Sequence, residues 1–234
     1  MHRSIPRVMN FLKRIYIWCR RFRHRRGYGV HSPFAFRLIT DVVYERLPYY
    51  AYDELKRLRR SLPKGARMYP ERVDRLLFRL VNHLSPQRVV EVGTGAGLSL
   101  CYLATARADT QCVSLPGDDA SDVMCEMVDR CKNASVVEGP LMETLHRELQ
   151  IASESTFLHI AHTEKFSLVL EKFLSNGGEK MCVVIEGIYD SQAKREWWKQ
   201  IVADERTGVT FDLYDVGIVF FDHSKNKQHY VVNF

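Results

Sequence analysis

The sequence predicts an α/β protein built on a doubly wound, mostly parallel sheet, with an N-terminal helical extension. Five short β-rich runs alternate with stretches long enough for a crossover helix, and such βα units build a parallel sheet covered by helices on both faces. These runs span residues 88–92, 111–115, 135–138, 157–161 and 181–186. Two further runs, 209–214 and 217–221, lie too close in sequence for a crossover, so an antiparallel strand pair or one bent strand is predicted there. A last run, 229–234, is expected to form a hairpin with the strand before it.

Length and composition agree with one large globular domain or one domain with an extension. The chain has 234 residues, of which 46% are hydrophobic and 26% charged, so disordered, collagen-like and coiled-coil classes are excluded. The longest apolar run, 216–221, is far too short for a transmembrane helix. Lys13 and Arg14 interrupt any secretory signal, and the cysteines form no C-x-x-C pair. We therefore expect reduced core thiols in a cytoplasmic protein.

Positive charge is concentrated at the N-terminal end. Residues 1–26 hold nine Lys/Arg and no acid, whereas the rest of the chain holds 25 basic and 28 acidic residues. Apolar residues recur at helical spacing in this basic arm, which predicts an amphipathic helix. Three roles are open for it. It can lie on an anionic membrane, such as the inner face of the cell membrane, with Tyr16, Trp18 and Phe22 dipping in. It can bind nucleic-acid phosphates, or it can pack against the acidic body or the second subunit of a homodimer.

Helices are predicted between the arm and the first strand. Ser32 is a good N-cap, and Pro33 after it occupies the first helical position. Two further helices are predicted at about 51–62 and 71–84. The chain therefore divides into three segments: the basic arm 1–26, a helical cap 27–84 and the α/β domain 85–234.

The most specific motif is a glycine-rich turn between the first strand of the α/β domain and the helix after it. The strand ends in Glu91, and the turn reads Gly93-Thr94-Gly95-Ala96-Gly97. Glycines let the backbone turn sharply and lie against a ligand, and the helix N-terminus beyond offers free N–H groups. The spacing is G-x-G-x-G rather than the G-x-G-x-x-G of dinucleotide folds. A nucleotide-like ligand other than NAD is indicated, the alternative being a glycine turn without a ligand.

The segment from Glu91 to Gly97 resembles motif I of the class I S-adenosylmethionine-dependent methyltransferases. Within that family it is closest to the O-methyltransferases, including a bacterial subgroup of them. The resemblance implies a Rossmann-like sheet that ends in an antiparallel strand pair, and S-adenosylmethionine as the cofactor. It implies that the methionine portion of the cofactor is held by the strand-end acid, the turn and the start of the helix: Glu91, Gly93, Thr94, Gly95, Ala96, Gly97 and Ser99. Glu138 and Gly139 fall where the family contacts the adenine.

The sequence departs from this family at several acidic positions. Pro116 stands where an acid grips the ribose, so Asp118 or Asp119 would have to act from a shifted turn. Metal-dependent members carry acids where this chain has Ala161 and Gly187. Glu186 alone does not make a Mg²⁺ or Ca²⁺ site, which needs several oxygen ligands, so no catechol-type metal is expected.

Candidate catalytic residues follow the fourth and fifth strands. His162 is a candidate general base, since the ordinary pKa of histidine lies near neutrality, and Glu186 can orient it. Tyr189 is expected at the same open edge of the sheet. The alternative is that His162 caps a helix or faces solvent.

Two functions are therefore open. The first is S-adenosylmethionine-dependent methyl transfer to an O or N nucleophile. The second is a catalytically eroded methyltransferase fold that works as a binding or scaffold module through its basic arm, because acids are missing at Pro116, Ala161 and Gly187.

Overall fold

An eight-stranded sheet forms the centre of the part of the chain that the structure describes. The structure is a computed structural model, and it describes residues 7–116, 121–151, 155–175 and 182–234. The strands are β1 (Arg88–Val92), β2 (Gln111–Leu115), β3 (Ala134–Val136), β4 (Thr156–Ile160), β5 (Cys182–Glu186), β6 (Val209–Asp212), β7 (Val216–Phe220) and β8 (Gln228–Val231). They lie in the order β3-β2-β1-β4-β5-β7-β6-β8.

The strand directions confirm the predicted sheet, with one correction. Strands β1 to β5 run parallel, and β7 pairs antiparallel with both β5 and β6. The expected hairpin between 217–221 and 229–234 is wrong, because β8 lies beside β6 and runs parallel to it, with Thr210 opposite His229. Strand β7 already has a partner on each side, so the last strand pairs at the free edge of β6 instead.

Helices cover both faces of the sheet, as the βα alternation predicts. They are α1 (Arg7–Arg20), α2 (Pro33–Arg37), a π-helical segment (Leu38–Val43), α3 (Ala51–Ser61), α4 (Glu71–Leu84), α5 (Leu98–Ala106), α6 (Asp122–Val128), α7 (Leu141–Ile151), α8 (Phe166–Ser175) and α9 (Gln192–Ala203). Helices α4, α5 and α6 pack with the π-helical segment on one face, and α7, α8 and α9 pack on the other.

Local capping fixes the helices of the N-terminal extension. The Ser32 hydroxyl accepts a hydrogen bond from the Ala35 amide at 3.4 Å, with Pro33 in the first turn, which confirms the predicted helix start. The buried Arg79 side chain donates to the carbonyls of Val42 and Val43 at 2.6 and 3.1 Å. Those carbonyls lie at the end of the π-helical segment and would otherwise lack partners.

The two-residue period of the strands decides which side chains meet on each face. In β1, Val89 packs into the α4 layer, whereas Val90 and Val92 pack into the layer of α7, α8 and α9. Glu91 therefore lies on the α4 side, because side chains alternate along a strand. Its register partner in β4 is His159. The sheet thus brings polar groups together under α4 at the carboxyl ends of its strands.

One face of α1 packs on the body of the protein. The Arg21 guanidinium forms a two-point ion pair with the Asp212 carboxylate at 2.8 and 3.1 Å and lies over the Tyr189 and Tyr214 rings. The Arg14 guanidinium reaches Asp215 at 3.1 Å. Arg14 thus attaches the helix to the turn between β6 and β7, and Arg21, directly after the helix, attaches the chain to strand β6.

Candidate functional site

The glycine-rich turn has the predicted position between β1 and α5. Gly93, Gly95 and Gly97 have φ angles of 78°, 63° and 82°, in the left-handed region that favours glycine. The outer side of the turn is closely covered. A Cβ atom on Gly95 would lie 2.8 Å from both the Arg67 carbonyl oxygen and the His162 ring. The chain before α4 and the residue after β4 therefore lie directly against this turn.

A cavity of about 700 Å³ opens at the carboxyl ends of β1, β2 and β4. Gly93, Pro116 and Ala161 line it at the ends of the three strands, and His162 and Lys194 form part of its wall. Its volume lies in the range of small-molecule sites. The edge where β1 and β4 meet is also the place where ligands bind in open parallel sheets.

A fully buried ionic cluster lies beside this cavity. His159 Nδ1 is 2.6 Å from Glu91 Oε2, and His159 Nε2 is 2.8 Å from Glu186 Oε1. All three residues have 0% exposure. Burial acts to lower the pKa of His159, but the carboxylates of Glu186 and Glu91 outweigh burial and raise this pKa to about 10. At neutral pH the His159 imidazole is therefore a cation that lies between two carboxylates.

Each carboxylate of the cluster keeps one unpartnered oxygen. Glu91 Oε1 and Glu186 Oε2 are buried, and neither has a hydrogen-bond partner among the described residues. Burial raises the pKa of Glu186, and the neighbouring His159 opposes that rise. A buried acceptor without a partner costs free energy, so a donor brought to either oxygen would be stabilising, but neither glutamate lines the cavity.

His162 lies in the wall of the cavity and is held by an aromatic stack. Its ring is 4.3 Å from the Tyr69 ring, and the two planes are 9° apart. Burial, assisted by the positive charges of Arg67 and His159, lowers the pKa of His162 to about 4. The imidazole is therefore neutral at neutral pH and can accept a proton.

Lys194 connects the cavity to the buried cluster. Its ammonium donates to the Glu186 backbone carbonyl at 2.7 Å and lies over the Phe166 ring. Burial lowers the pKa of Lys194, and the nearby acids Asp190 and Glu186 oppose that effect. Helix α9 thus places a lysine in the cavity wall, against the end of strand β5.

The structure brings some of the predicted site residues together and separates others. Gly93 and His162 meet at the cavity, and Glu91 and Glu186 meet in the buried cluster. The remaining residues of the turn and the helix start are buried or closely packed: Thr94, Ala96, Gly97 and Ser99. The Thr94 hydroxyl pairs with the Ser114 hydroxyl, and the Ala96 amide donates to the Arg67 carbonyl at 3.2 Å.

Three other predicted residues lie apart from the buried cluster. Tyr189 donates from its hydroxyl to Asp212 Oδ2 at 2.6 Å, beneath the basic arm. Glu138 and Gly139 are exposed in the loop between β3 and α7. Asp118, and Asp119 beside it, lie outside the described residues.

Sequence reasoning missed His159, the centre of the buried cluster. Two signals could have found it. His159 is a polar residue in the interior of the otherwise apolar segment that forms β4, and it lies one strand from Glu91 if β1 and β4 are neighbours. That neighbour relation depends on the topology of the sheet, which the residues of either strand do not reveal.

Comparisons with known proteins identify the fold. No protein-family model matches this chain, and no curated protein does. Among solved structures, it is similar to the SAH-bound methyltransferase PaMTH1 of Podospora anserina, with 13% identity, a TM-score of 0.58, and 94% of this chain and 99% of that chain covered. Cofactor-bound Rv0187 from MTB shows 16% identity and a TM-score of 0.57 over 97% and 100% of the two chains.

A third comparison gives the same result. The O-methyltransferase of Bacillus cereus, solved in complex with SAH, shows 17% identity and a TM-score of 0.55 over 77% of this chain and 95% of that chain. At such low identity the likeness shows the fold alone. The chain has the Rossmann-like fold of the class I methyltransferases, which confirms the fold that the glycine-rich turn indicated.

Proposed function

We propose that this protein is an S-adenosylmethionine-dependent methyltransferase that acts on an O or N nucleophile without a catechol-type metal. The observation that carries the proposal is the cavity at the carboxyl ends of β1, β2 and β4, which Gly93 of the glycine-rich turn lines. The fold supports the same chemistry, because similar structures hold SAH or a cofactor. The positions Ala161 and Gly187, which lack oxygen ligands in their side chains, support a mechanism without the metal.

Two features of the site fit S-adenosylmethionine. The cavity has the volume of a small-molecule site. Glu91 Oε1 is a buried acceptor without a partner at the end of β1, which suits the ammonium or a hydroxyl of such a ligand. Gly93 and Glu91 would hold the cofactor, and when bound it would supply an electrophilic methyl group on its sulfonium.

His162 is the general base of this proposal. It faces the same cavity, and burial lowers its pKa to about 4, so the imidazole is unprotonated at neutral pH but is a weaker base than free histidine. The stack with Tyr69 fixes the orientation of the His162 ring. Substrate binding therefore does not have to order this side chain. His162 accepts the proton that the O or N nucleophile loses. Glu186 positions Lys194 through its carbonyl, and Lys194 adds a positive charge to the cavity wall.

A methyl-labelled transfer assay tests this function. The protein is incubated with labelled S-adenosylmethionine and a panel of phenols, carboxylates and amines, with and without EDTA. We expect transfer to one acceptor class that EDTA does not change. His162→Gln should lower kcat by about 100-fold, since general base catalysis typically contributes that much. The matched control is His223→Gln at an exposed histidine, which should leave kcat unchanged. Loss of activity in EDTA would contradict the metal-free mechanism.

A second candidate function is a binding or scaffold module on a catalytically eroded fold. The specific observation in its favour is the cover on the glycine-rich turn, where Arg67 and His162 lie within 2.8 Å of a Cβ position on Gly95. Pro116 at the end of β2 supports it as well, because a prolyl residue offers no carboxylate to a ribose. A folded protein that transfers no label to any acceptor would favour this candidate.

A further inference from the structure

The outer face of helix α1 has no partner in the described structure. Leu12, Ile15, Tyr16 and Cys19 follow the i, i+3, i+4, i+7 spacing of one helical face, and all four are exposed. The Leu12 side chain, for example, is 58% exposed. Arg14 on the opposite face and Arg21, directly after the helix, form the ion pairs that attach the basic arm to the body. The helix is therefore fixed in an orientation that presents an apolar face to the outside.

Basic residues without carboxylate partners surround this face. The first forty residues of the chain contain ten Lys/Arg and no Asp or Glu. Arg20 and Arg23 are exposed, and in the described ranges neither forms an ion pair with a carboxylate. The Arg20 guanidinium lies instead 6.0 Å from the centre of the Tyr16 ring. Carboxylates of the described residues thus do not neutralise the charge of the outer face.

A hollow of about 860 Å³ continues this surface beyond the end of α1. Its side-chain lining consists of three arginines and three aromatic rings: Arg23, Arg25, Arg26, Phe22, Tyr28 and Phe36. Guanidinium groups bind phosphate oxygens at two points, and Tyr28 combines an apolar ring with a hydroxyl, which suits the boundary between water and hydrocarbon. The hollow therefore has the chemistry of a phospholipid headgroup site.

We propose that the outer face of α1 and the adjoining arginine-lined hollow bind the surface of an anionic phospholipid membrane. The helix lies in the plane of the interface, with Leu12, Ile15 and Tyr16 at the headgroup boundary and arginines on lipid phosphates. No helix among the described residues is long and apolar enough to cross a bilayer. The proposal does not depend on methyl transfer.

The charge and the apolar face together favour lipid over two other occupants. A symmetric pairing with α1 of a second copy would place one basic face against another, because the first forty residues contain no acid. Nucleic acid would use the arginines but would leave the exposed Leu12 and Ile15 without a role. An anionic bilayer uses both parts of the surface.

Vesicle flotation with the full chain tests the proposal. Vesicles of phosphatidylcholine alone are compared with vesicles that also contain phosphatidylserine. We expect binding to the anionic vesicles only, and weaker binding at high salt because the phosphate contacts are screened. Leu12→Gln should weaken binding about tenfold, since it removes a leucine that enters the boundary. Arg23→Glu should weaken it at least as much.

Matched controls separate this effect from general changes in the protein. Leu168 on α8 is 57% exposed, so Leu168→Gln makes the same change at an equal exposure on another surface and should leave binding intact. Arg60→Glu, on an exposed part of α3, is the control for charge. Circular dichroism and thermal melting show that each variant folds.

Several results would overturn the proposal. Equal binding to neutral vesicles, no binding to either type, or equal losses in Leu12→Gln and Leu168→Gln would each do so. Binding to duplex DNA or RNA that Leu12→Gln leaves unchanged, without vesicle binding, would assign the surface to nucleic acid. A dimer in sedimentation that Leu12→Gln dissociates, without vesicle binding, would assign it to a second copy.

Discussion

Two ionic clusters join distant parts of this chain, and they differ in burial. Glu91, His159 and Glu186 are completely buried between β1, β4 and β5, and two bonds of 2.6 and 2.8 Å connect them. Arg21 and Asp212 join the basic arm to β6 with a similar bond of 2.8 Å, but the Arg21 side chain is 14% exposed. Water reaches the Arg21 end of the second cluster, although the Asp212 side chain is only 3% exposed, and it reaches no part of the first. Burial, more than bond length, therefore determines how much each ion pair contributes to the free energy of unfolding.

The largest effect is expected when the buried cluster loses its cation. His159→Leu leaves two carboxylates unpaired in a space without water, and breaking a buried ion pair in this way costs about 3–5 kcal/mol. Urea unfolding should show that loss in the free energy of unfolding. A triple variant that adds Glu91→Gln and Glu186→Gln removes the orphaned charges and should recover part of the loss. A loss below about 1 kcal/mol, in the range of exposed pairs, would remove the distinction between the clusters.

The pH dependence of stability should sharpen the same comparison. The pKa of His159 is about 10 in the folded protein and 6.5 in the unfolded chain, so the folded state binds the proton more tightly. The stability from this group is complete below pH 6.5 and is lost as the pH rises through 10. We expect the advantage of the wild type over His159→Leu to shrink by a few kcal/mol between pH 6.5 and 10. An advantage that stays constant over this range would mean that His159 is not charged.

The smallest loss of stability is expected when an ion pair of the basic arm is removed. Arg21→Met removes the two-point pair with Asp212, and a partly exposed pair of this kind contributes about 1 kcal/mol. Arg14→Met should cost less, because the Arg14 side chain is 45% exposed. Limited proteolysis should show faster cleavage in the arm of Arg21→Met than in Arg14→Met. Equal cleavage of both variants and the wild type would mean that these pairs do not hold the arm.

The sequence predicted the parts of the molecule that depend on local signals. The glycine-rich turn was found because Gly93, Gly95 and Gly97 occupy backbone conformations that other residues avoid. The first five strands were found because apolar runs alternate with helical segments. The short link between β6 and β7 leaves no room for a crossover, so it predicted an antiparallel pair or one bent strand, and the structure has the pair.

Non-local contacts limited the prediction elsewhere. The pairing of Glu91 with His159 depends on β1 and β4 being neighbours in one register, and no pattern within either strand encodes that. The position of β8 beside β6 depends on which edge remains free. Tyr189 follows β5 as expected, but the docking of Arg21 engages it at the arm, and such tertiary contacts leave no periodic signal.

The most direct test of the central claim is a calorimetric titration of S-adenosylhomocysteine into the wild type and Glu91→Gln. The matched control is Glu148→Gln, because Glu148 is a buried glutamate on α7 that pairs with Arg88 at the opposite end of β1. We predict micromolar binding to the wild type and to Glu148→Gln, with binding to Glu91→Gln at least tenfold weaker because one charge-assisted hydrogen bond is lost. A folded wild type that binds nothing at millimolar ligand, or a Glu91→Gln variant that binds as tightly as the wild type, would contradict a cofactor site at the glycine-rich turn.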